Sequence, residues 1–345
     1  GTDTVWRCSR HTRVGLYAAW SSACEGSAYS TRTAKNMRST VLSGLAFALT
    51  YGQAHGFSVT AGSRLSMSLP EEARRAYYVR PDRVVDVLTS LPQALFRAGS
   101  GAFVNGYTFS IKKEEDGDEG QYTVLRGLGY KVVEGGSTWE RKQPQKLLEL
   151  YEFEGCPFCR KVREAVNILD LDVVFYPCPA GGPTFRPKAN KLGGQSQFPY
   201  MVDPNTKTAM YESDAIIEYM FETYGQGAKV PLQLTLGPVT AVSAMVGMLP
   251  RIGRGSSYKP AKMPQKPLEL WGYEASPYTK VVREKLCELE IPHKFISAAR
   301  GSPKRQRLFD LAGAGQTPYL VDPNTGAKGY ESSEIVDYLE ATYAL

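Results

Sequence analysis

Apolar and polar positions alternate along this chain with two periods. Leu147 to Phe153 (LLELYEF) reads as a strand. Pro157 to Leu169 carries Val162, Val166 and Leu169 at helical spacing. Asp172 to Pro177 (DVVFYP) is a second predicted strand, Phe198 to Asp203 a third that opens with a proline, and Thr208 to Tyr211 a fourth. The turn Asp203-Pro204-Asn205-Thr206 joins the last two. Glu212-Ser213-Asp214 then opens a helix bearing Ile216, Ile217, Tyr219 and Met220. The predicted order is β-α-β-α-β-β-α, an α/β arrangement.

The pattern occurs twice. Leu268 to Trp271 repeats the first strand, and Ser276 to Arg283 the first helix. Thr317 to Thr325 repeats the proline-led hairpin, and Glu331 to Ile335 the start of the last helix. The spacing is constant at 119 or 120 residues, from Cys156 to Ser276, Pro199 to Pro318 and Glu212 to Glu331. A unit of this size can bury its own core, so the expectation is a duplicated domain rather than a solenoid. The boundaries expected are 147–225 and 267–345 for the repeats, 69–146 for an accessory region and 226–266 for a linker.

Outside the repeats the pattern is weaker. Residues 70–98 are expected to be largely helical, with Val84, Val85, Val87, Leu88, Leu91, Leu95 and Phe96 as the apolar positions. Residues 102–146 show β-like pieces around Thr123 to Leu125 and Lys131 to Val133, and are expected as a layer on the first repeat. In the linker, Pro231 to Pro250 carries no charge, but Pro238 and Pro250 confine a helix to Val239–Leu249. That is roughly 16 Å at 1.5 Å per residue, about half a bilayer core, so no transmembrane span is expected. A helix buried between domains, or a membrane or partner docking segment, remain the alternatives. Arg251 to Lys266 reads as an exposed connector.

Composition adds little to this picture. With 42% hydrophobic and 22% charged residues the chain is of the soluble globular class. Net charge is +6, partly from the N-terminal residues, and no basic run with interleaved aromatics points to nucleic acid. Six cysteines in 345 residues are too few for a disulfide scaffold, and no metal site is expected. Residues 1–68 read as a leader, with Met37 a candidate true start. Met37-Arg38, the apolar run Val41 to Leu49 and the small-residue junction before Phe57 resemble a secretory signal. The acid-free stretch Ser58 to Ser68 resembles a transit peptide. Together they resemble the two-part plastid address of algae with complex plastids.

The chemistry centres on Cys156-Pro157-Phe158-Cys159, set between a strand and a helix, which is the layout of a thiol–disulfide site. Pro157 suits the first helical position. Cys156 then sits at the helix N-terminus, where unpaired N–H groups favour an anion, with Arg160, Lys161 and Arg163 nearby. Cys156 is the candidate nucleophile and Cys159 the resolving thiol; two buried structural cysteines are the alternative. Cys178 reads equally as a third redox thiol or a packing residue, and Cys287 as packing.

CPFC, a proline-led strand and a Glu-Ser helix start, in that order, resemble glutaredoxins and the N-terminal domain of glutathione S-transferases, and the element order resembles the thioredoxin fold. The resemblance implies two thioredoxin-fold domains in tandem, each a four-stranded mixed sheet flanked by helices. It implies cis peptides at Pro199 and Pro318. It implies a glutathione site at Phe198, Pro199, Glu212 and Ser213, and a second at Thr317, Pro318, Glu331 and Ser332. A helix N-terminus with a hydroxyl is a reasonable receiver for a carboxylate, although each Ser could be an ordinary cap. In the second repeat Ser276 and Thr279 replace both cysteines. Ser276 there resembles the thiolate-stabilising serine of some glutathione transferases, yet no all-helical domain follows either repeat, and a degenerate repeat is expected.

The expected function is therefore a plastid, glutathione-linked disulfide oxidoreductase acting on thiol and disulfide substrates through Cys156 and Cys159. Three rivals stand beside it: a transferase or isomerase using the same site, an iron–sulfur carrier, and a non-catalytic subunit or assembly factor docked at the thylakoid through Val239–Leu249.

Overall fold

The structure, a computed structural model, describes residues 79–137 and 143–345. The expected leader and Met37 lie outside these residues. After a short 3-10 turn at Pro81–Arg83, helix α1 spans Val84–Phe96. A three-stranded antiparallel sheet follows, from β1 (Thr108–Lys113), β2 (Leu125–Gly127) and β3 (Tyr130–Gly135), in the order β1-β3-β2.

The first repeat runs β4 (Leu148–Glu152), α2 (Pro157–Ile168), β5 (Val173–Pro177), α3 (Phe185–Gly193), β6 (Tyr200–Asp203), β7 (Thr208–Met210) and α4 (Ser213–Tyr224). Two connecting helices follow, α5 (Leu232–Thr235) and α6 (Pro238–Met248). The second repeat has the same order: β8 (Leu268–Gly272), α7 (Pro277–Glu288), β9 (His293–Ser297), α8 (Lys304–Ala312), β10 (Tyr319–Val321), β11 (Lys328–Tyr330) and α9 (Ser332–Tyr343). In each, the first two strands are parallel and the last two antiparallel. These are two thioredoxin-fold units.

They are joined more closely than the word tandem suggests. Strand β5 pairs antiparallel with β9, Val173 opposite Phe295 and Phe175 opposite His293. The two sheets thereby become one of eight strands, β11-β10-β8-β9-β5-β4-β6-β7. Each repeat covers what would otherwise be an open strand edge of the other. One apolar core, from Leu148 in β4 to Tyr343 at the end of α9, runs through both.

The turn motif in each repeat ties a hairpin to the last helix. The buried Asp203 carboxylate accepts from Tyr219 (2.8 Å), Tyr224 and the Asn205 N–H (2.8 Å). Asp322 accepts likewise from Tyr338 (2.7 Å), Tyr343 (2.5 Å) and Asn324 (2.8 Å). Desolvation alone would push either carboxyl up, but these bonds hold both below the usual carboxylate range.

Two expectations change here, and the helix before the β-layer packs in an unexpected way. Helix α1 does not bury its apolar row: Val85, Leu88, Leu95 and Phe96 are exposed, and the buried positions are Val87, Ser90 and Gln93. The reason is its partner. Its inward face meets the charged backs of the repeats, where Gln93 accepts from Arg160 and Arg97 from α1's C-terminal cap holds Glu164 at 2.6 Å. The β-layer packs on the second repeat, not the first. Phe103 bridges to Arg300, and the Tyr122 N–H donates to Gln306 Oε1 at 2.7 Å. Finally, Arg251 is no exposed connector: it is buried, and pairs with Glu284 at 2.5 Å.

These features expose a longer repeat than the sequence pattern suggested. Arg97-Ala98-Gly99-Ser100-Gly101 and Arg251-Ile252-Gly253-Arg254-Gly255 share the form Arg-x-Gly-x-Gly, each after a helix. Arg97 meets Glu164 and Arg251 meets Glu284, at matching places on α2 and α7. Phe103 then bridges to Arg300 in the second repeat, while Ser257 bridges to Ala180 in the first. Each motif leads a segment that crosses to the opposite repeat. Gly101 and Gly255 have φ of +78° and +63°. A Cβ at Gly255 would lie 2.6 Å from the Glu154 Cβ, and one at Gly101 would lie 3.0 Å from the Glu274 Cβ. Only glycine allows both the backbone angle and the approach.

Candidate functional site

Strand β4 delivers the chain to Cys156 at the N-cap of α2. The Cys156 Sγ accepts from the Cys159 N–H at 3.2 Å, as a capping oxygen would. It lies 4.0 Å from the Phe198 carbonyl oxygen. The Phe198–Pro199 peptide is cis, as is Thr317–Pro318. Cys156 lines a groove of about 470 Å³ with Phe158, Arg186, Phe198, Glu212 and Ser213. The structure thus brings together Cys156, Phe198, Glu212 and Ser213. Pro199 forms the cis turn beside them, and Cys159 lies behind, 1% exposed against 4% for Cys156.

The two thiols are driven apart. Hydrogen bonding to Cys159, from its thiol first and its N–H next, holds the Cys156 thiol below its ordinary value against desolvation. Burial first, and the neighbouring Cys156 next, push Cys159 well above. Of the two, Cys156 is therefore the thiol that ionises first. Cys178 and Cys287 are both buried and pushed up by desolvation; Cys178 donates to the Tyr176 carbonyl and Cys287 accepts from the Glu154 N–H. Neither has the environment of a reactive thiol.

The three cations of α2 do not act as the sequence suggests. Arg160, Lys161 and Arg163 are all buried and paired. Lys161 holds Asp214, and Arg160 holds Glu164 at 3.0 Å. Arg163 pairs with Glu152 and, at 3.0 Å, with Glu274 of the second repeat. Reciprocally, Arg283 of the second repeat pairs with Glu274 and, at 2.8 Å, with Glu154 of the first. Burial raises the carboxyl values of Glu154 and Glu274, but the arginines around them bring both well below the ordinary range. For Glu152 burial wins, and its value rises. Glu154 and Glu274 stand two residues before Cys156 and Ser276. The charge lattice therefore sits directly behind both sites and links them.

In the second repeat Ser276 takes the place of Cys156, its Oγ accepting from the Thr279 N–H at 3.2 Å. It lines a cavity of about 240 Å³ with Thr317, Pro318, Glu331 and Ser332. Tyr122 of the accessory layer forms one wall. Glu212 and Glu331 adopt φ of +66° and +65°, an uncommon backbone angle for a non-glycine residue and the same in both sites. Each carboxylate accepts from a glutamine side chain, Gln197 at 2.5 Å and Gln316 at 2.7 Å.

Several site residues were not picked out from the sequence. Arg186 donates to the Cys178 and Pro179 carbonyls and lies 4.7 Å from the Phe198 ring centroid. Arg305 recurs at its place in the second repeat, as Gln316 does for Gln197, so the repeat spacing itself marked them. Nothing in the local pattern marked Tyr122.

Among the described residues no helix is long and apolar enough to cross a membrane, and no cluster of His, Cys, Asp and Glu is arranged to hold a metal ion. No curated protein and no solved structure matched the chain. The family model for "Glutathione S-transferase, N-terminal domain" matches it twice, at residues 150–228 and 270–345. Each match spans one of the two thioredoxin-fold units, so both units are similar to glutathione S-transferase N-terminal domains.

Proposed function

We propose that this protein is a glutathione-linked thiol–disulfide oxidoreductase working through Cys156 and Cys159. The observation that carries the reading is the split between the two thiols. One caps a helix, lines a groove and has its value held down, while the other is buried behind it with its value raised. The Cys156 thiolate attacks a disulfide sulfur, the S–S bond breaks, and the departing thiolate takes a proton from water. Cys159 then loses its proton and attacks the Cys156 sulfur, releasing the second thiol and leaving a Cys156–Cys159 disulfide. Two glutathione molecules reduce that disulfide and become oxidised glutathione. In this reading glutathione lies along Phe198–Pro199, with its γ-glutamyl end at Glu212–Ser213; the helix start and the Ser213 hydroxyl support a carboxylate there. The second repeat cannot run this chemistry at Ser276. Its matching groups, Thr317, Pro318, Glu331 and Ser332, make it a candidate glutathione-binding or purely structural copy.

The test is turnover of a glutathione mixed disulfide on a model peptide with glutathione as reductant. We expect Cys156→Ser to abolish it and Cys159→Ser to retain attack but accumulate the mixed disulfide. Wild-type turnover unchanged by Cys156→Ser would end this reading. The leader-like composition of residues 1–68 supports a plastid address, which the N-terminus and fractionation of native protein would test.

A second reading has its own support. Leu88, Leu95, Val239, Val242, Leu249 and Ile252 on α1, α6 and the turn after α6 leave their side chains largely in solvent. Apolar surface of this kind suits docking to a membrane surface or a partner at the thylakoid. Co-sedimentation with thylakoid membranes, lost when Val239, Val242 and Leu249 become Ser, supports it; equal partition of both proteins into the supernatant refutes it.

A further inference from the structure

The two clefts are built from matching parts but differ in one respect. In the second, the accessory layer lays the stretch Tyr122-Thr123-Val124 along the cavity that holds Ser276. The Tyr122 hydroxyl accepts from Arg300 at 3.0 Å and Arg305 at 3.2 Å and donates to Glu134 at 3.0 Å. Its ring lies 5.8 Å from the Arg305 guanidinium and presses on Gly315, where a Cβ would meet it at 2.3 Å. Among the described residues the first cleft has no such wall. Between Ser257 and Leu268 the chain is short, whereas between Phe103 and Leu148 it carries the accessory layer. The first groove is accordingly larger, about 470 Å³ against 240 Å³.

Position by position the floors correspond. Phe153 stands for Tyr273, Phe158 for Tyr278, Arg186 for Arg305 and Gln197 for Gln316. Arg186 lies beside two rings that meet edge to face, 5.5 Å from Phe153 and 4.7 Å from Phe198, and Phe158 is 48% exposed at the groove.

We propose that the groove beside Cys156 recognises an extended polypeptide segment carrying an aromatic side chain, as the chain's own Tyr122 segment does in the second cleft. The substrates of the first site are then proteins or peptides with an aromatic residue beside the attacked disulfide. This rests on the redox reading of Cys156 and names its substrate class. Two differences suit an exchangeable ligand. Pro187 replaces Gln306, which anchors the Tyr122 N–H, so the backbone tether is absent. Ser196 replaces Gly315, so an aromatic ring rides higher in the first groove, against Phe158 and the Arg186 face. Arg186 supplies a cation–π surface and Phe158 an apolar one, as recognition of a ring requires. In the reaction, Cys156 attacks the peptide's disulfide sulfur, the mixed disulfide with the peptide forms, and the departing thiolate is protonated by water.

The experiment uses the full chain and two synthetic peptides, one with the sequence of residues 120–126 (GQYTVLR) and one with alanine in place of its tyrosine. The first readout needs no turnover: protection of Cys156 from iodoacetamide by these cysteine-free peptides. We expect the tyrosine peptide at saturation to slow alkylation at least five-fold, the alanine peptide to do little, and Phe158→Ala to erase the difference. The second readout is kcat/KM for the same peptides carrying cysteine before the aromatic position, as glutathione mixed disulfides. At least a five-fold preference for tyrosine, expressed in KM, is expected. Equal protection and equal KM for both peptides, or protection by neither, would overturn the proposal. If a small disulfide is still turned over in that case, the redox reading stands. If no disulfide is turned over, the redox reading fails, and the protection experiment still decides whether the groove selects aromatic segments.

Discussion

Cys156 and Cys159 are three residues apart and share one helix start, yet the structure gives them opposite character. The cause is local: the first sulfur accepts the Cys159 N–H at the helix N-terminus, while the second sits one turn in and is buried. That contrast was legible in the sequence, because a proline after the first cysteine fixes where the helix begins. The fate of Arg160, Lys161 and Arg163 was not legible, because their partners include Asp214 and Glu274, 53 and 111 residues away along the chain. His293 illustrates the same point. It lies buried at the seam between the repeats, 5.5 Å from the Phe175 ring, and desolvation lowers its value to about 4. An imidazole with a depressed folded value stabilises the fold fully above its unfolded value near 6.5, and that contribution is lost as pH falls from 6.5 towards 4. We expect His293→Gln to flatten the decline in urea-unfolding free energy between pH 7 and pH 5. The slope removed is at most about 1.4 kcal/mol per pH unit. An unchanged slope would mean that His293 takes up its proton in the fold as readily as in the unfolded chain.

At the scale of elements, periodicity found β4, α2, β5, β6, β7 and α4, and the repeat spacing carried β8, α7, the hairpin and α9, most of which line the shared core; it did not place α3 or α8, whose apolar residues pack in smaller separate clusters. Periodicity also found the helix α1, but not which face of it is buried. An apolar row normally marks the buried face of a helix, but α1 turns that row to solvent and docks Gln93 and Arg97 into a charged layer. The Arg-x-Gly-x-Gly element was also readable, since it occurs twice, but at a spacing of 154 residues rather than 119 or 120, because the accessory layer is inserted after the first copy. Its glycines are predicted to be intolerant. Gly255→Ala combines a positive φ with a Cβ 2.6 Å from the Glu154 side chain. It should cost on the order of 1–3 kcal/mol, as strain at such backbone positions does. Gly326, also at positive φ but with open space around it, separates the two causes: Gly326→Ala should cost less. Thermal unfolding of the two variants measures the difference, and equal losses would show that the close approach to Glu154 does not matter.

For the whole molecule, the two repeats behave as one body. They share a sheet, a core and a lattice in which each repeat's arginine holds the other's glutamate. Removing one partner of such a lattice leaves buried charge uncompensated, typically at a cost of about 3–5 kcal/mol. We therefore expect Glu274→Gln to lower the urea midpoint sharply even though it lies in the repeat without cysteines. We also expect residues 147–228 alone to lack a cooperative unfolding transition, because they would expose the β5 edge and the charged face of α2 together. A cooperative transition in that fragment would show that the repeats are independent. The central claim is that this joint scaffold maintains one activated thiol, at Cys156. The most direct test is the pH dependence of iodoacetamide alkylation in the single variants Cys159→Ser and Cys156→Ser. Cys159→Ser should react at Cys156 with an apparent pKa below the ordinary thiol value, and Cys156→Ser should remain slow at Cys159 until well above it. Faster reaction of Cys159 at pH 6, or ordinary titration near 8.5 in both, would contradict the account.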